Sequence, residues 1–223
     1  MKPTWKQLRR FAPLLLGLAA AGCSSLLHSN APAAQVYSLT APSAASDASD
    51  PPTTAAGSLR IAHPLAGPGL GTAQIVLRQP DHRMNVYAAS SWAADAPALV
   101  ESLAVQTMRA SREWSSVQDA ESPFPSDYLL QITVRRFDAD YGAGADSPPT
   151  VRVTLDCTLG AERGRAVLAS FVAAGSAAAG ANRLSEVVAA FQRATDQALA
   201  SMSRQASAAM RAVPSGRSSA RSR

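Results

Sequence analysis

Between residues 151 and 159 the chain alternates without a break: Val151, Val153, Leu155, Cys157 and Leu159 are apolar, while Arg152, Thr154, Asp156 and Thr158 are polar. A period of two places the first set on one face of an extended strand and the second on the other, so this segment has to lie in a sheet with one dry face and one wet face. Antiparallel sheets accommodate that asymmetry, whereas all-parallel sheets are buried on both sides. Cys157 falls in phase with the apolar set and reads as a buried core thiol. Tyr128, Leu130, Ile132 and Val134 repeat the pattern within a strand over residues 127–138. Residues 165–174 read as the hairpin partner of 151–159 across Ala161, Glu162, Arg163 and Gly164.

The dry face needs a cover, and the segment after Gly180 supplies one. Leu184, Val187, Val188, Phe191, Thr195, Ala198, Leu199 and Met202 recur at helical spacing, with Asn182 as N-cap and Glu186 near the first turn, and the stripe weakens from Arg204. A second helix is expected after Asp95, whose carboxylate caps it, with Pro97 in the first turn and Val100, Leu103, Ala104, Thr107 and Met108 on its apolar side to about Arg112. Shorter strands are read at residues 35–39, 59–62, 73–78, 84–88 and 114–118, and the glycines of residues 66–70 mark a turn. The order β-β-β-β-α-β-β-β-β-α predicts an α+β fold: a two-layer sandwich of one mixed or largely antiparallel sheet with two helices packed on one face.

The beginning of the chain has a different logic. Lys2, Lys6, Arg9 and Arg10 precede an apolar run over residues 11–21, followed by Ala20, Ala21, Gly22 and Cys23. Basic, apolar and small-residue regions in that order form a secretory signal peptide, and the run is shorter than the roughly 20 residues of a membrane span. A cysteine directly after the small residues resembles a bacterial lipobox. The expected division is a signal peptide at 1–22, a lipidated tether at 23–34, a folded domain at 35–203 with a low-complexity loop at 41–57, and a basic disordered tail at 204–223. Cys23 is the expected lipidation site. Ser24, a residue other than Asp at the sorting position, directs the anchored protein to the outer membrane, facing the periplasm. Acyl chains joined there would hold the domain on a bilayer.

Splitting the net charge of +5 by position removes one class of function. The first ten residues hold four cations, residues 203–223 hold five arginines and no acid, and residues 23–202 hold twelve arginines against sixteen acids. The body is acidic, so the basic balance gives no support to a nucleic-acid-binding domain. Phosphate-cradling glycine loops, metalloprotease and serine-hydrolase signatures and paired-cysteine metal spacings are missing from the sequence. Gly67, Pro68, Gly69, Leu70 and Gly71 form a glycine-rich run, but Pro68 removes an amide donor and no helix follows. Asp138, Asp140, Tyr141 and Asp146 gather near a strand end without EF-hand spacing. No catalytic residue, metal or cofactor is assigned. A hydrolase would need His63 or His82 beside a serine, and both histidines lie in turns. Tyr87 and Trp92 flank the first helix, where Trp92 is either a core lid or an anchor for a partner.

Several runs, taken in order behind a lipobox, resemble the ABC-type transport auxiliary lipoprotein family, which includes the lipoprotein of the paraquat-inducible system. They are residues 59–70 (Leu59 and Arg60 through Gly69 and Leu70), Ile75 to Arg78, Tyr87, Trp92 with Ala93 and Ala94, Tyr128 to Ile132, and the late helix with Asn182, Arg183 and Phe191. The likeness spans residues 35–202, and the 41–57 stretch and the basic tail depart from it. It implies a non-enzymatic component of a transport system with an MCE-domain substrate-binding protein and an ABC permease and ATPase. Such systems move phospholipids or other hydrophobic molecules between the inner and outer membranes, and this domain would act by docking or lipid hand-over. Gly67, Pro68, Gly69, Leu70, Tyr87 and Trp92 are the expected partner contacts. The alternative classes are an outer-membrane assembly lipoprotein that binds a barrel protein and the small periplasmic hydrolase already described.

Overall fold

The fold is organised around β7 (Tyr128–Asp140), which pairs with one long strand on one side and with three short strands in succession on the other. The computed structural model describes residues 34–42 and 57–212. The expected signal peptide, Cys23, Ser24, most of the expected tether, residues 43–56 of the expected loop and residues 213–223 of the expected tail lie outside the described residues. On one side of β7 runs β8 (Thr150–Ala161), antiparallel, followed by antiparallel β9 (Val167–Ala178). On the other side β2 (Leu59–Ile61), β3 (Leu65–Ala66) and β4 (Gln74–Arg78) lie one after another, each parallel to β7. The antiparallel partner of β4 is β5 (Met84–Trp92); β1 (Gln35–Tyr37) lies parallel to β5, and β6 (Val117–Gln118) parallel to β2. Among the described residues the result is a mixed nine-stranded sheet, and with two helices it is an α+β sandwich.

The alternation seen in β8 is the burial pattern of the strand: Val151, Val153, Leu155, Cys157 and Leu159 are all at or below 2% exposure. In β7 the alternation shifts once. Leu130, Ile132 and Val134 point inward, then a bulge at Arg135 inserts one residue against β8, and Phe137 and Ala139 become the inward pair. Asp138 is thereby turned to the face away from the core.

Helix α1 (Ala96–Ser111) starts as expected, with the Ala98 amide donating to Asp95 Oδ1 at 2.9 Å, and stops where Arg112 enters the left-handed region at φ 55°. Helix α2 (Leu184–Arg211) follows β9 and packs on β9, β8 and α1. Its N-cap position is Arg183, which makes no side-chain cap. Asn182, expected there, is engaged elsewhere: its Oδ1 accepts from the Tyr141 hydroxyl at 2.7 Å, and its Nδ2 donates to the Ala145 carbonyl at 3.0 Å. The helix also runs past Arg204 to Arg211, with Ala206 and Ser207 still buried.

Small residues set how closely α2 approaches the sheet. Ala190, Ala194 and Ala198 lie at four-residue intervals on its buried side, opposite Ala173 and Gly175 of β9. A Cβ at Gly175 would stand 1.9 Å from the Ala194 carbonyl oxygen, so that position admits no side chain. Three polar side chains of α2 also reach the outer edge of β9. Arg193 Nη2 donates to the Ala178 carbonyl (2.9 Å), the Ser176 amide donates to Gln197 Oε1 (3.0 Å), and Gln205 Nε2 donates to the Val172 carbonyl (3.0 Å). These bonds occupy backbone groups that a strand edge otherwise leaves free for another chain.

Candidate functional site

The glycine-rich run leaves β3 and turns back into β4. The Gly67 amide donates to the Val134 carbonyl at 2.9 Å, the Leu70 amide closes the turn on the Gly67 carbonyl at 3.1 Å, and Gly69 takes φ +77°. A Cβ at Gly67 would come within 3.2 Å of the Val134 oxygen, and one at Gly69 within 3.0 Å of Met84 Cε, so the turn lies tightly on β7 and β5. Leu70 is buried at 2% exposure. Of the four turn residues expected to meet a partner, Pro68 and Gly69 are the exposed ones.

Trp92 is a core residue, which corrects its expected place among partner contacts. It is 2% exposed, and its ring meets Phe137 and Phe191 edge-on at centroid distances of 5.7 Å and 5.0 Å. Phe137 and Phe191 are themselves 5.1 Å apart. The three rings join β5, β7 and α2, so Trp92 offers no surface to a second protein. Tyr87 is half-buried, and its hydroxyl lies 2.8 Å from that of Tyr141, which donates onward to Asn182. Burial, then the bond to Tyr141, pushes the Tyr87 phenol well above its usual range. This chain of hydroxyls ties the β4–β5 hairpin to the loop before α2, a structural role.

On the sheet face away from the helices, charges gather around the Asp138 carboxylate, which has no exposed surface. Arg136 binds it with two nitrogens, Nε at 3.1 Å and Nη2 at 2.8 Å, and also reaches Asp140 at 3.0 Å. Arg78 lies 3.6 Å from Asp138, and Arg152 lies 3.2 Å from Asp140. The bond to Asp138, with Asp140 adding to it, raises the Arg136 guanidinium further above its ordinary range. Partial burial pushes the Asp140 carboxyl up, but the Arg136 bond, the Gly142 amide and the nearby arginine charges outweigh it and hold Asp140 below the usual carboxylate range. Asp138 and Asp140 are thus engaged by arginines. Among the described residues no group of three or more His, Cys, Asp or Glu side chains converges as a metal site would require.

His63 stands at a groove of about 450 Å³ along α1, with Glu101, Ser102, Arg109, Asp119 and Glu121 among its walls. Its Nδ1 lies 2.8 Å from Glu101 Oε2, while Glu101 Oε1 accepts from the Ala120 amide at 3.1 Å. The Ser102 hydroxyl accepts from Gln106 Nε2 at 3.1 Å. Among the described residues His63 therefore bonds a carboxylate rather than a serine. His82 is exposed in the β4–β5 turn at φ 67°. The Cys157 thiol, at 2% exposure, is pushed by burial up to about 12. A buried thiol that far above neutrality holds no nucleophilic thiolate.

Among the apolar side chains that reach the surface, Leu65 (54% exposed), Met84 (37%), Val86 (47%) and Val36 (64%) were not assigned a face by alternation. Each lies in a strand too short or too irregular for alternation to assign a face.

Comparison with known proteins gives this surface a context. No curated protein matches the chain. A crystal structure of a protein from Xanthomonas campestris has the same fold, with a TM-score of 0.70 at 25% identity over 80% of this chain and 97% of that one. A second crystal structure, 15% identical, covers 78% of this chain and 99% of its own with a TM-score of 0.59, a likeness of fold. The family defined as the ABC-type transport auxiliary lipoprotein component matches residues 37–203, from β1 to the last third of α2. That span takes in β2 to β9, all of α1 and most of α2, so the chain belongs to the ABC-type transport auxiliary lipoprotein family.

Proposed function

We propose that this protein is a lipid-anchored periplasmic component of an MCE-type ABC transport system, acting by docking or lipid hand-over without catalysis. Cys23 is acylated and, with Ser24 behind it, holds the domain on the outer membrane. The MCE-domain substrate-binding protein, with its permease and ATPase, is the partner, and phospholipid or another hydrophobic molecule is the cargo. The observation that carries the reading is the family match over residues 37–203, joined to a lipobox-like cysteine upstream of it. The buried state of Cys157 supports a role in contact rather than in thiol chemistry.

Within this reading the exposed turn residues Pro68 and Gly69 are the contact carried forward, beside Leu65 and Met84. A photo-crosslinking amino acid in place of Pro68, introduced in cells, is expected to capture the MCE protein. Capture of an outer-membrane barrel protein instead would favour the assembly-lipoprotein class, and capture at a position on β9 but not at Pro68 would remove the turn from the contact.

A further inference from the structure

We infer that Arg78, Arg136 and Arg152, held together on the helix-free face of the sheet by Asp138 and Asp140, form a binding site for the phosphodiester group of a phospholipid. This inference rests on the lipid hand-over reading given above and names the residues that meet the cargo.

The site exists because β7 changes phase. Leu130, Ile132 and Val134 face the core, and unbroken alternation would send residues 136, 138 and 140 the same way. The bulge at Arg135 turns Arg136, Asp138 and Asp140 to the opposite face instead, the re-aiming that bulges perform beside functional sites. There Arg78 pairs with Asp140 in the parallel register of β4, and Arg152 pairs with Asp138 in the antiparallel register of β8. Three strands each deliver one guanidinium, and all three lean onto the β7 carboxylates: Arg136 and Arg78 reach Asp138 at 2.8 Å and 3.6 Å, and Arg152 reaches Asp140 at 3.2 Å.

Three cations against two carboxylates leave one positive charge, on a body that is acidic as a whole. The aspartates occupy Nε and Nη2 of Arg136 and Nε of Arg152. Among the described residues nothing accepts from Arg136 Nη1, from either η nitrogen of Arg152 or from the Arg78 guanidinium, and these side chains are 30%, 47% and 28% exposed. Asp138, with no exposed surface, presents no charge to an incoming anion. A buried carboxylate of this kind adds little stability, but it orders long side chains before a ligand arrives and so lowers the entropy lost on binding. Fork-shaped donors suit an oxyanion with several oxygens, and a single net positive charge matches the single negative charge of a phosphodiester. Met84 stands across from Arg78 in the β4–β5 register and is 37% exposed, which sets apolar surface beside the cation, as the glycerol end of a lipid requires and a free phosphate ion does not.

The test is native mass spectrometry of the full-length lipidated protein in a nonionic detergent, offered phosphatidylglycerol or diacylglycerol with the same chains. Phosphatidylglycerol is expected to stay bound where diacylglycerol does not. Arg78→Gln and Arg152→Gln are each expected to weaken its binding about tenfold, the loss of a hydrogen bond to a charged group. Arg152→Gln leaves both arginines on Asp138 in place, and circular dichroism reports that each variant is folded. Arg204→Gln, at an exposed position of α2, removes the same charge elsewhere and should weaken binding less than about twofold. Undiminished binding in folded Arg78→Gln and Arg152→Gln overturns the site and leaves lipid handling standing. An equal loss in Arg204→Gln overturns it in favour of general charge, and diacylglycerol bound as well as phosphatidylglycerol overturns phosphate recognition. Displacement of the lipid by an equal concentration of inorganic phosphate overturns the lipid as the source of the phosphate. Wild-type protein that retains neither lipid overturns hand-over, and the site with it, without touching the docking reading that the Pro68 crosslink tests.

Discussion

Gly175→Ala tests the packing on which the two-layer account depends. The methyl group would stand 1.9 Å from the Ala194 oxygen and 2.9 Å from both the Ala194 carbonyl carbon and the Ala198 nitrogen. All three are backbone atoms of α2, so no rotamer change relieves the overlap, and the helix itself has to move by roughly 1.3 Å to restore an ordinary contact. That movement loosens Phe191 from Trp92 and Phe137 and lengthens the bonds from Arg193 and Gln205 to β9. Overpacking of this kind costs about 1–3 kcal/mol and more where backbone must shift, so about 3 kcal/mol is expected. Loss of glycine's freedom in the unfolded chain returns only about 0.4–1 kcal/mol. For a domain of this size a net loss of 2–3 kcal/mol corresponds to a Tm lower by roughly 4–12 °C, read by circular dichroism. Gly71→Ala is the control, since its nearest contact would be an ordinary 3.7 Å to Ala66 Cβ, and it should change stability by less than about 0.5 kcal/mol. If both variants melt alike, the close approach of α2 to β9 is wrong.

Other outcomes follow from the same structure. Trp92→Ala removes the centre of the three-ring cluster and should cost about 3–5 kcal/mol, so any loss of partner co-purification will track loss of fold in urea titrations. Asp95→Ala takes away the α1 cap and should cost about 1 kcal/mol in the same titrations. Cys157, buried and with its thiol pushed up to about 12, should ignore a thiol reagent at pH 8 until the protein is unfolded; rapid reaction in native buffer would contradict its place in the core. Asp127 is held below the ordinary carboxylate value of 3.8 by bonds from the Ser58 amide and hydroxyl, and Asp140 is held below it by the balance described above. A depressed folded-state pKa contributes stability that is present above the unfolded value and disappears as pH falls through the folded one. Stability from these groups should therefore hold steady above about pH 4 and drop below it, with a smaller drop in Asp127→Asn.

How much of this was readable beforehand depends on what each residue reports. The strict alternation of β8 survives intact because one of its faces is dry along its whole length. Asp95 was legible because a cap acts over three residues. The bulge at Arg135 was hidden, since an inserted residue looks like any other polar position until the partner strand shows the slip. The C-terminal part of β9 fell outside the expected strand because Gly175, Ser176, Ala177 and Ala178 carry almost no apolar signal, and Gly175 has to be small because α2 lies on it. Asn182 has the chemistry of a cap, but a tyrosine distant in sequence claims its oxygen. Trp92 could be read two ways from its position alone, and only the convergence of β7 and α2 decides between them. The parallel pairing of β1 on β5 is one that no local pattern announces.

The anchor is the premise that ties the acidic, inert-looking domain to a membrane task, and intact mass spectrometry of the polypeptide extracted from native membranes tests it directly. The account predicts a chain that begins at Cys23 and carries a diacylglyceryl group on the sulfur and an acyl group on the new amino terminus. A chain that begins elsewhere, or that carries a free Cys23 thiol, contradicts it.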